Sequence, residues 1–313
     1  MTNNPLVSIA IPAFKTNFLS YAIESALNQT YKNIEVLIVD DCSPFNIKSI
    51  VDTFSDNRIF YIRNNVNLGK NDPANNWNEC LNLAKGEYFA LLCDDDIYSP
   101  SFIEEMLFLA RKYPNTGVFR SRAKLIDSEG KLLNFYPSSP EYESAVNYMV
   151  DMGNGVRKQT ISEFMYRTDF LRKNGGYANL PKAMCADHLT IYRLGMHGGI
   201  ASSISPLVSF RSSEINLSGH GQDSSCIKEK LLANNLFVKQ VENLTISIDK
   251  ELRDLIVAKH KEKFYKANII VMSCAKCSDW FFLLSHKSTY DLSNGLLIKA
   301  LLIKAKKMIK RLF

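Results

Sequence analysis

Apolar runs of strand length alternate with helically spaced apolar positions through the first part of the chain. "LVSIAIPAF" is rich in Val and Ile and closes on proline, the composition of a strand buried on both faces of a parallel sheet. "NFLSYAIESALNQTY" carries apolar residues at 18, 19, 22, 23, 26 and 27, which is helical spacing. "IEVLIVDD" predicts a second buried strand, "IKSIVDTF" a helix and "RIFYIRN" a third strand; "NWNECLNLAKGEY" predicts a helix stopped at Gly86, and "FALLCDDD" a fourth strand. Short alternating units of this kind predict a mostly parallel sheet with helices on its faces, and ligands gather at the carboxyl ends of such strands. Pro12 to Phe14, Asp40 to Ser43, Asn64 to Lys70 and Asp94 to Asp96 are therefore expected around one crevice.

Beyond residue 100 the pattern loosens. "FIEEMLFLARKYP" predicts a helix, "TGVFRSRAKLID" a strand and "SEGK" a turn, whereas Leu133 to Gly155, rich in Pro, Ser, Tyr and Asn, is expected to be a working loop outside the core. "ISEFMYRTDFLRKNGGY" predicts a strand and a helix, "ADHLTIYRLGMHG" a helix and "PLVSFR" a closing strand. From Asn216 onward the reading is helical, ending in "LLIKALLIKAKKMIKRLF".

Composition narrows the class. With 313 residues, 46% of them apolar, the chain can fill one large α/β unit with an appendage. Its net charge of +6 suits an anionic partner without identifying one. The opening "MTNNPLVSIAIPAFK" lacks the basic region of a signal peptide, and no apolar run reaches the roughly 18 residues that span a bilayer. Seven cysteines without a pairing pattern then predict free thiols and a cytoplasmic location; a lone CxxC at Cys274 and Cys277 reads as chance. Dehydrogenase and P-loop readings fail, because no GxGxxG follows the first strand and GxxxxGK[ST] is absent.

Three consecutive carboxylates, Asp94, Asp95 and Asp96, close the fourth strand. Such oxygens at one crevice suit a hard divalent cation that binds phosphate, and equally an acidic turn before a helix. The surrounding motifs bear on the choice. "VSIAIPAFK", "SALNQTYKNIEVLIVDDCS" and "NLGKNDPANNWNECLNLAKGEYFALLCDDD", in this order and spacing, resemble the nucleotide-binding half of a family 2 glycosyltransferase of the bacterial surface-polysaccharide type. The resemblance covers residues 5 to 215 and implies a GT-A catalytic domain over 1–215, with a nucleotide-sugar half (1–100) and an acceptor half (101–215), followed by a helical region over 216–313.

The resemblance implies that Pro12, Ala13 and Phe14 line the base and ribose of a nucleotide-sugar, usually UDP-linked, and that Asp41, beside Asp40, accepts from the N3 proton of uracil; turn capping is the other reading of both. It makes Asp95 the principal ligand of Mn²⁺ or Mg²⁺, with Asp94 facing the ribose or a metal-bound water and Asp96 supporting or capping. Cys93 stands where the commoner D-x-D-D spelling has its first acid. Asp187 takes the place of the catalytic base that accepts the acceptor's proton, with His188 as a second candidate and an N-cap as the bland reading. Ala186 replaces the first acid of the usual Glu-Asp pair. Lys70 and Arg211 are candidates for diphosphate contact or else solvated charges, His220 sits where relatives close a loop over the donor, and Trp77 and Trp280 read as core more readily than as sugar platforms.

Residues 296–313 hold six basic and no acidic residues. On a helix Lys299, Lys304, Lys306, Lys307, Lys310 and Arg311 fall on one side and Leu297, Leu301, Ala305, Met308, Ile309 and Leu312 on the other; packing of the apolar stripe on the catalytic domain with the lysines in water is one reading, and contact with an anionic membrane surface, not with nucleic acid, is the favoured one. The expected activity is metal-dependent inverting transfer from a UDP-sugar to a saccharide or lipid-linked saccharide hydroxyl at the cytoplasmic membrane face. The competing readings are nucleotidyl transfer to a sugar phosphate and, because of Cys93 and Ala186, an inactive nucleotide-sugar-binding homologue.

Overall fold

A computed structural model of the chain describes residues 4–212 and 226–309. In chain order these form β1 (Val7–Ala13), α1 (Leu19–Leu27), β2 (Ile34–Asp40), α2 (Ile47–Val51), β3 (Ile59–Arg63), α3 (Ala74–Leu83), β4 (Tyr88–Leu91), β5 (Ile97–Tyr98) and α4 (Phe102–Lys112). Then follow β6 (Val118–Ile126), β7 (Leu132–Phe135), β8 (Tyr142–Glu143), α5 (Ala145–Gly153), β9 (Phe164–Arg167), α6 (Thr168–Lys173), α7 (Ala186–Gly195) and β10 (Ile200–Arg211). Four helices close the chain: α8 (Ile227–Leu244), α9 (Lys250–Ser273), α10 (Cys277–Ser285) and α11 (Asn294–Ile309).

The strands make one sheet in the order β3-β2-β1-β4-β9-β6-β10-β5, with β7 on β6 and β8 on β10. The β3-β2-β1-β4 half is parallel, as the alternating units predict. The remainder is mixed, because β9 enters antiparallel between β4 and β6. Period-two alternation gives each central strand two buried faces. Val7, Ile9 and Ile11 meet α1 and α4 on one face, while Ala10, Leu37 and Phe89 meet α3, α5 and α7 on the other. Phe237 and Val241 of α8 and Ile256 and Phe264 of α9 join this second cluster, so the C-terminal helices share the core of the sheet.

Two expectations are corrected. The stretch from Leu133 to Gly155 is not a loop outside the core: it contains α5, capped by Ser144 on the Asn147 amide, and Ala145, Tyr148, Met149 and Met152 are buried against the sheet. Nor do the apolar residues of α11 form one stripe opposite the lysines. Leu296, Leu297 and Ala300 are buried in a cluster with α9 residues, Leu301 is exposed, and Lys304 and Lys307 turn back to the Ala275 carbonyl and the Ser273 hydroxyl. There their charges complement the negative C-terminal end of α9. Lys310, Arg311 and Leu312 lie outside the described residues, as does His220.

Candidate active site

The crevice forms where β1, β2 and β4 end. The Asp41 amide donates to the Ala13 carbonyl and the Leu92 amide to the Ala10 carbonyl, which brings the two acidic segments beside the Pro12–Phe14 strand end. Cys42 adopts a left-handed backbone at φ 52°, a conformation that costs a side-chain-bearing residue roughly 1 kcal/mol or more. That strain is held by Ser43, whose hydroxyl donates to the Phe14 carbonyl at 2.6 Å and whose amide donates to Asp40 at 2.8 Å.

Neighbouring acids take different partners. Asp40 is fully buried and accepts from the Tyr61 hydroxyl and from Arg63, which fastens β2 to β3. Asp41 accepts from the Leu68 and Gly69 amides, both at 2.8 Å, and from the Asn64 amide at 2.9 Å. It thus holds the "NLG" turn, where a Gly69 Cβ would come within 2.9 Å of the Asp41 carboxylate. Lys70 follows that turn with an exposed side chain.

The acidic run divides in the same way. Asp94 accepts from the Phe14 and Lys15 amides at 3.0 and 2.8 Å, and burial raises its carboxyl to about 6 despite the Lys15 ammonium nearby. Asp96 accepts from the Ser162 hydroxyl at 2.6 Å and the Arg211 amide at 3.0 Å; burial first, and then the Asp95 charge, push it well above the usual carboxylate range. The Asp95 carboxylate meets the Lys15 ammonium at 3.1 Å. Arg211 is buried, donates to the carbonyls of Asp95, Asp127 and Ser128, and stacks its guanidinium over the Phe18 ring at 4.3 Å.

Donor atoms of Cys93, Asp95 and Asp96 lie within 4.8 Å of one another, while the Asp94 carboxylate is turned toward the end of β1. The set fits a hard divalent cation through its two carboxylates, since a cation would offset the like charges that burial makes costly. Burial pushes the Cys93 thiol well above its usual value; as a soft donor it suits a hard cation less well than the two carboxylates do. Lys15 carries no signal of its own in the sequence: only the fold brings it across 80 positions to Asp95.

Lys182, Ala183 and Cys185 adopt left-handed backbones and lead into α7. Asp187 sits in the first turn, and its carboxylate accepts from the Gln159 side chain at 2.9 Å and faces the His188 ring at 2.9 Å. Burial opposes its ionisation, but the His188 ring and the two hydrogen bonds outweigh burial and hold it below the usual range. The segment between α5 and β9 reaches both acidic groups: Gln159 donates to Asp187 and Ser162 to Asp96. Trp280 is buried in the C-terminal cluster, and Trp77 packs edge-on against Tyr177, both as core side chains.

Known proteins resemble the chain in sequence and in fold. Over 152 residues the chain is 36% identical to WcaA of Escherichia coli K12, a putative colanic acid biosynthesis glycosyl transferase, covering 45% of this chain and 52% of that one. Over 132 residues it is 36% identical to WfaP of Escherichia coli, a UDP-Glc:α-D-GlcNAc-diphosphoundecaprenol β-1,3-glucosyltransferase, covering 37% and 51%. These alignments span about half the length of the curated relatives. The crystal structure of S. aureus TarS 1-349 with UDP-GlcNAc superposes with a TM-score of 0.66 over 97% of this chain and 92% of that one; at 14% identity the likeness establishes the fold. The GT-A reading of the sheet is thereby borne out. A model of the glycosyl transferase family 2 matches residues 8–172, more than half of the chain, which therefore belongs to that family.

Proposed function

We propose that the chain is a metal-dependent inverting glycosyltransferase that moves a sugar from a UDP-sugar to an acceptor hydroxyl in cell-surface polysaccharide or glycolipid synthesis. The observation that carries this reading is the pairing of two acidic groups by one short segment: Ser162 donates to Asp96 of the Asp95–Asp96 cluster at 2.6 Å, and Gln159, three residues earlier, donates to Asp187 at 2.9 Å. Asp95 and Asp96 hold Mn²⁺ or Mg²⁺, which when bound neutralises the charge gathering on the diphosphate. Pro12 to Phe14 and Asp41 receive the nucleoside, and Asp94 the ribose side. The Asp187 carboxylate takes the acceptor's hydroxyl proton as that oxygen bonds to C1 and the C1–O bond to the diphosphate breaks, which inverts the anomeric centre. UDP donors and a lipid-linked acceptor are consistent with the names of TarS's ligand and of WfaP.

Among the described residues no helix is long and apolar enough to cross a membrane. Ile298, Leu301 and Leu302 stand exposed on α11 beside Lys306, and we assign this face to the cytoplasmic leaflet of an anionic membrane. The test of the activity is a nucleotide-sugar panel read by UDP release, on wild type and Asp95→Ala. Turnover and Mn²⁺-dependent UDP binding are expected to vanish in the variant; surviving turnover refutes the metal assignment, and pyrophosphate release in place of UDP would indicate nucleotidyl transfer.

A further inference from the structure

We propose that Gln159 is a positioning residue that sets both the orientation and the ionisation of Asp187, acting from a segment held by a buried ion pair. The inference rests on the assignment of Asp187 as the base. Gln159 lies between α5 and β9, half-buried, and its side-chain nitrogen donates to Asp187 at 2.9 Å. The amide has one sensible orientation, because an ionised Asp187 can only accept; the amide oxygen is then left to accept from the buried Tyr148 hydroxyl at 2.7 Å. The nitrogen is thereby turned to the carboxylate, and Tyr148, Gln159 and Asp187 form a directed chain.

The flanking backbone is fixed as well. Arg120, fully buried, donates to the Lys158 carbonyl at 2.7 Å while its Nε lies 2.7 Å from Glu163, and the Glu163 amide donates to the Thr160 carbonyl at 3.3 Å. Both neighbours of Gln159 are therefore tied to one buried pair. Such a pair is poor evidence of stabilisation, since desolvation offsets much of its attraction, but it fixes geometry. With Gln159 on one oxygen of Asp187 and His188 on the other, the remaining lone pairs are left in a defined direction for an acceptor proton.

Charged and titratable groups around Asp187 are His188 on its own helix, Cys185 before it, Lys263 from α9, Glu163 from the turn before β9, and Tyr148 from α5, Tyr166 from β9, Tyr136 and Tyr192. None of these changes in the variants that follow, except where stated.

The test compares wild type, Gln159→Leu, Gln159→Glu and Asp187→Asn by two readouts. One is UDP release from UDP-glucose or UDP-N-acetylglucosamine against pH, with water in the acceptor's place; the other is titration of ¹³Cγ-aspartate-labelled protein, in which Asp187→Asn identifies the resonance. Gln159→Leu should lower kcat by roughly 10- to 100-fold with the donor KM unchanged, as for loss of a bond to a charged group. Gln159→Glu keeps the size and the Tyr148 contact, and should move the Asp187 midpoint and the acid limb up by about one unit or more through like-charge repulsion. Limb and midpoint unmoved in Gln159→Glu overturn the inference even if Gln159→Leu fails to fold. Full activity in Asp187→Asn overturns instead the assignment of the base.

Discussion

His260 carries a pH dependence that can be worked from its surroundings. It is 1% exposed in α9; Nδ1 lies 2.8 Å from the Ile256 carbonyl and must carry the proton, and Nε2, 2.9 Å from the Tyr192 hydroxyl, accepts. Burial, with a small contribution from Lys263, lowers the ring to about 4 from a usual 6.5. The fold thus requires the neutral ring. Its contribution is complete above pH 6.5 and is lost as the pH falls toward 4, because the unfolded chain takes the proton first. At about 1.4 kcal/mol per unit, the loss is about 2 kcal/mol at pH 5 and about 3 kcal/mol below pH 4. His260→Gln keeps an acceptor toward Tyr192 and does not titrate. Urea unfolding of both proteins from pH 8 to pH 4.5 should show the wild-type advantage shrinking by about 2.5 kcal/mol, whatever the constant offset from the altered packing. Curves that stay parallel refute the reasoning. The bond joins α9 to α7, whose first turn holds Asp187, so acid should also loosen the helix that carries the proposed base.

Three further outcomes follow from particular contacts. Arg120→Met leaves Glu163 buried without its cation and the Lys158 carbonyl without a donor, and should cost about 3–5 kcal/mol in urea unfolding, with Arg120→Met/Glu163→Leu recovering much of it. Gly176→Ala forces a side chain at φ +65° into contact with the Asn78 carbonyl oxygen that holds the Tyr177 amide, and should lower stability by about 1–3 kcal/mol, seen as a fall in Tm. Arg211→Met removes the guanidinium from the carbonyls of Asp95 and of the Asp127–Ser128 turn, and calorimetry should show Mn²⁺ affinity falling about 10-fold as the acidic turn loses its backing.

What the sequence revealed follows from which forces act locally. The four parallel strands were legible because strands buried on both faces must be apolar throughout. Strand direction was not: β9 reads as a strand in either sense, and its antiparallel insertion is decided by partners distant in the chain, Phe89 opposite Tyr166 and Arg120 opposite Phe164. Helix α5 was missed because its buried side is made of Ala145, Tyr148, Met149 and Met152 within a stretch otherwise rich in polar residues. The candidate acids were visible as letters, but their separate partners were not. Nothing in the sequence marks Lys15 or Gln159; both acquire meaning only from Asp95 and Asp187 across the fold.

Those partners also separate three adjacent aspartates by experiment. Asp94 serves two backbone amides and Asp96 an amide and a hydroxyl, all donors that burial makes costly to leave unpaired. Asp94→Ala and Asp96→Ala should therefore each destabilise the fold by about 1–3 kcal/mol or more. The only partner of the Asp95 carboxylate among the described residues is the Lys15 ammonium, and in a pair whose side chains are only 24% and 10% exposed desolvation offsets much of the attraction. Removing Asp95 also relieves the repulsion that raises Asp96. Asp95→Ala should consequently melt within a degree or two of wild type while losing turnover and Mn²⁺ binding. The carboxylate that the fold does not need is the one left to face a ligand, and an Asp95→Ala protein as destabilised as Asp94→Ala would remove that distinction.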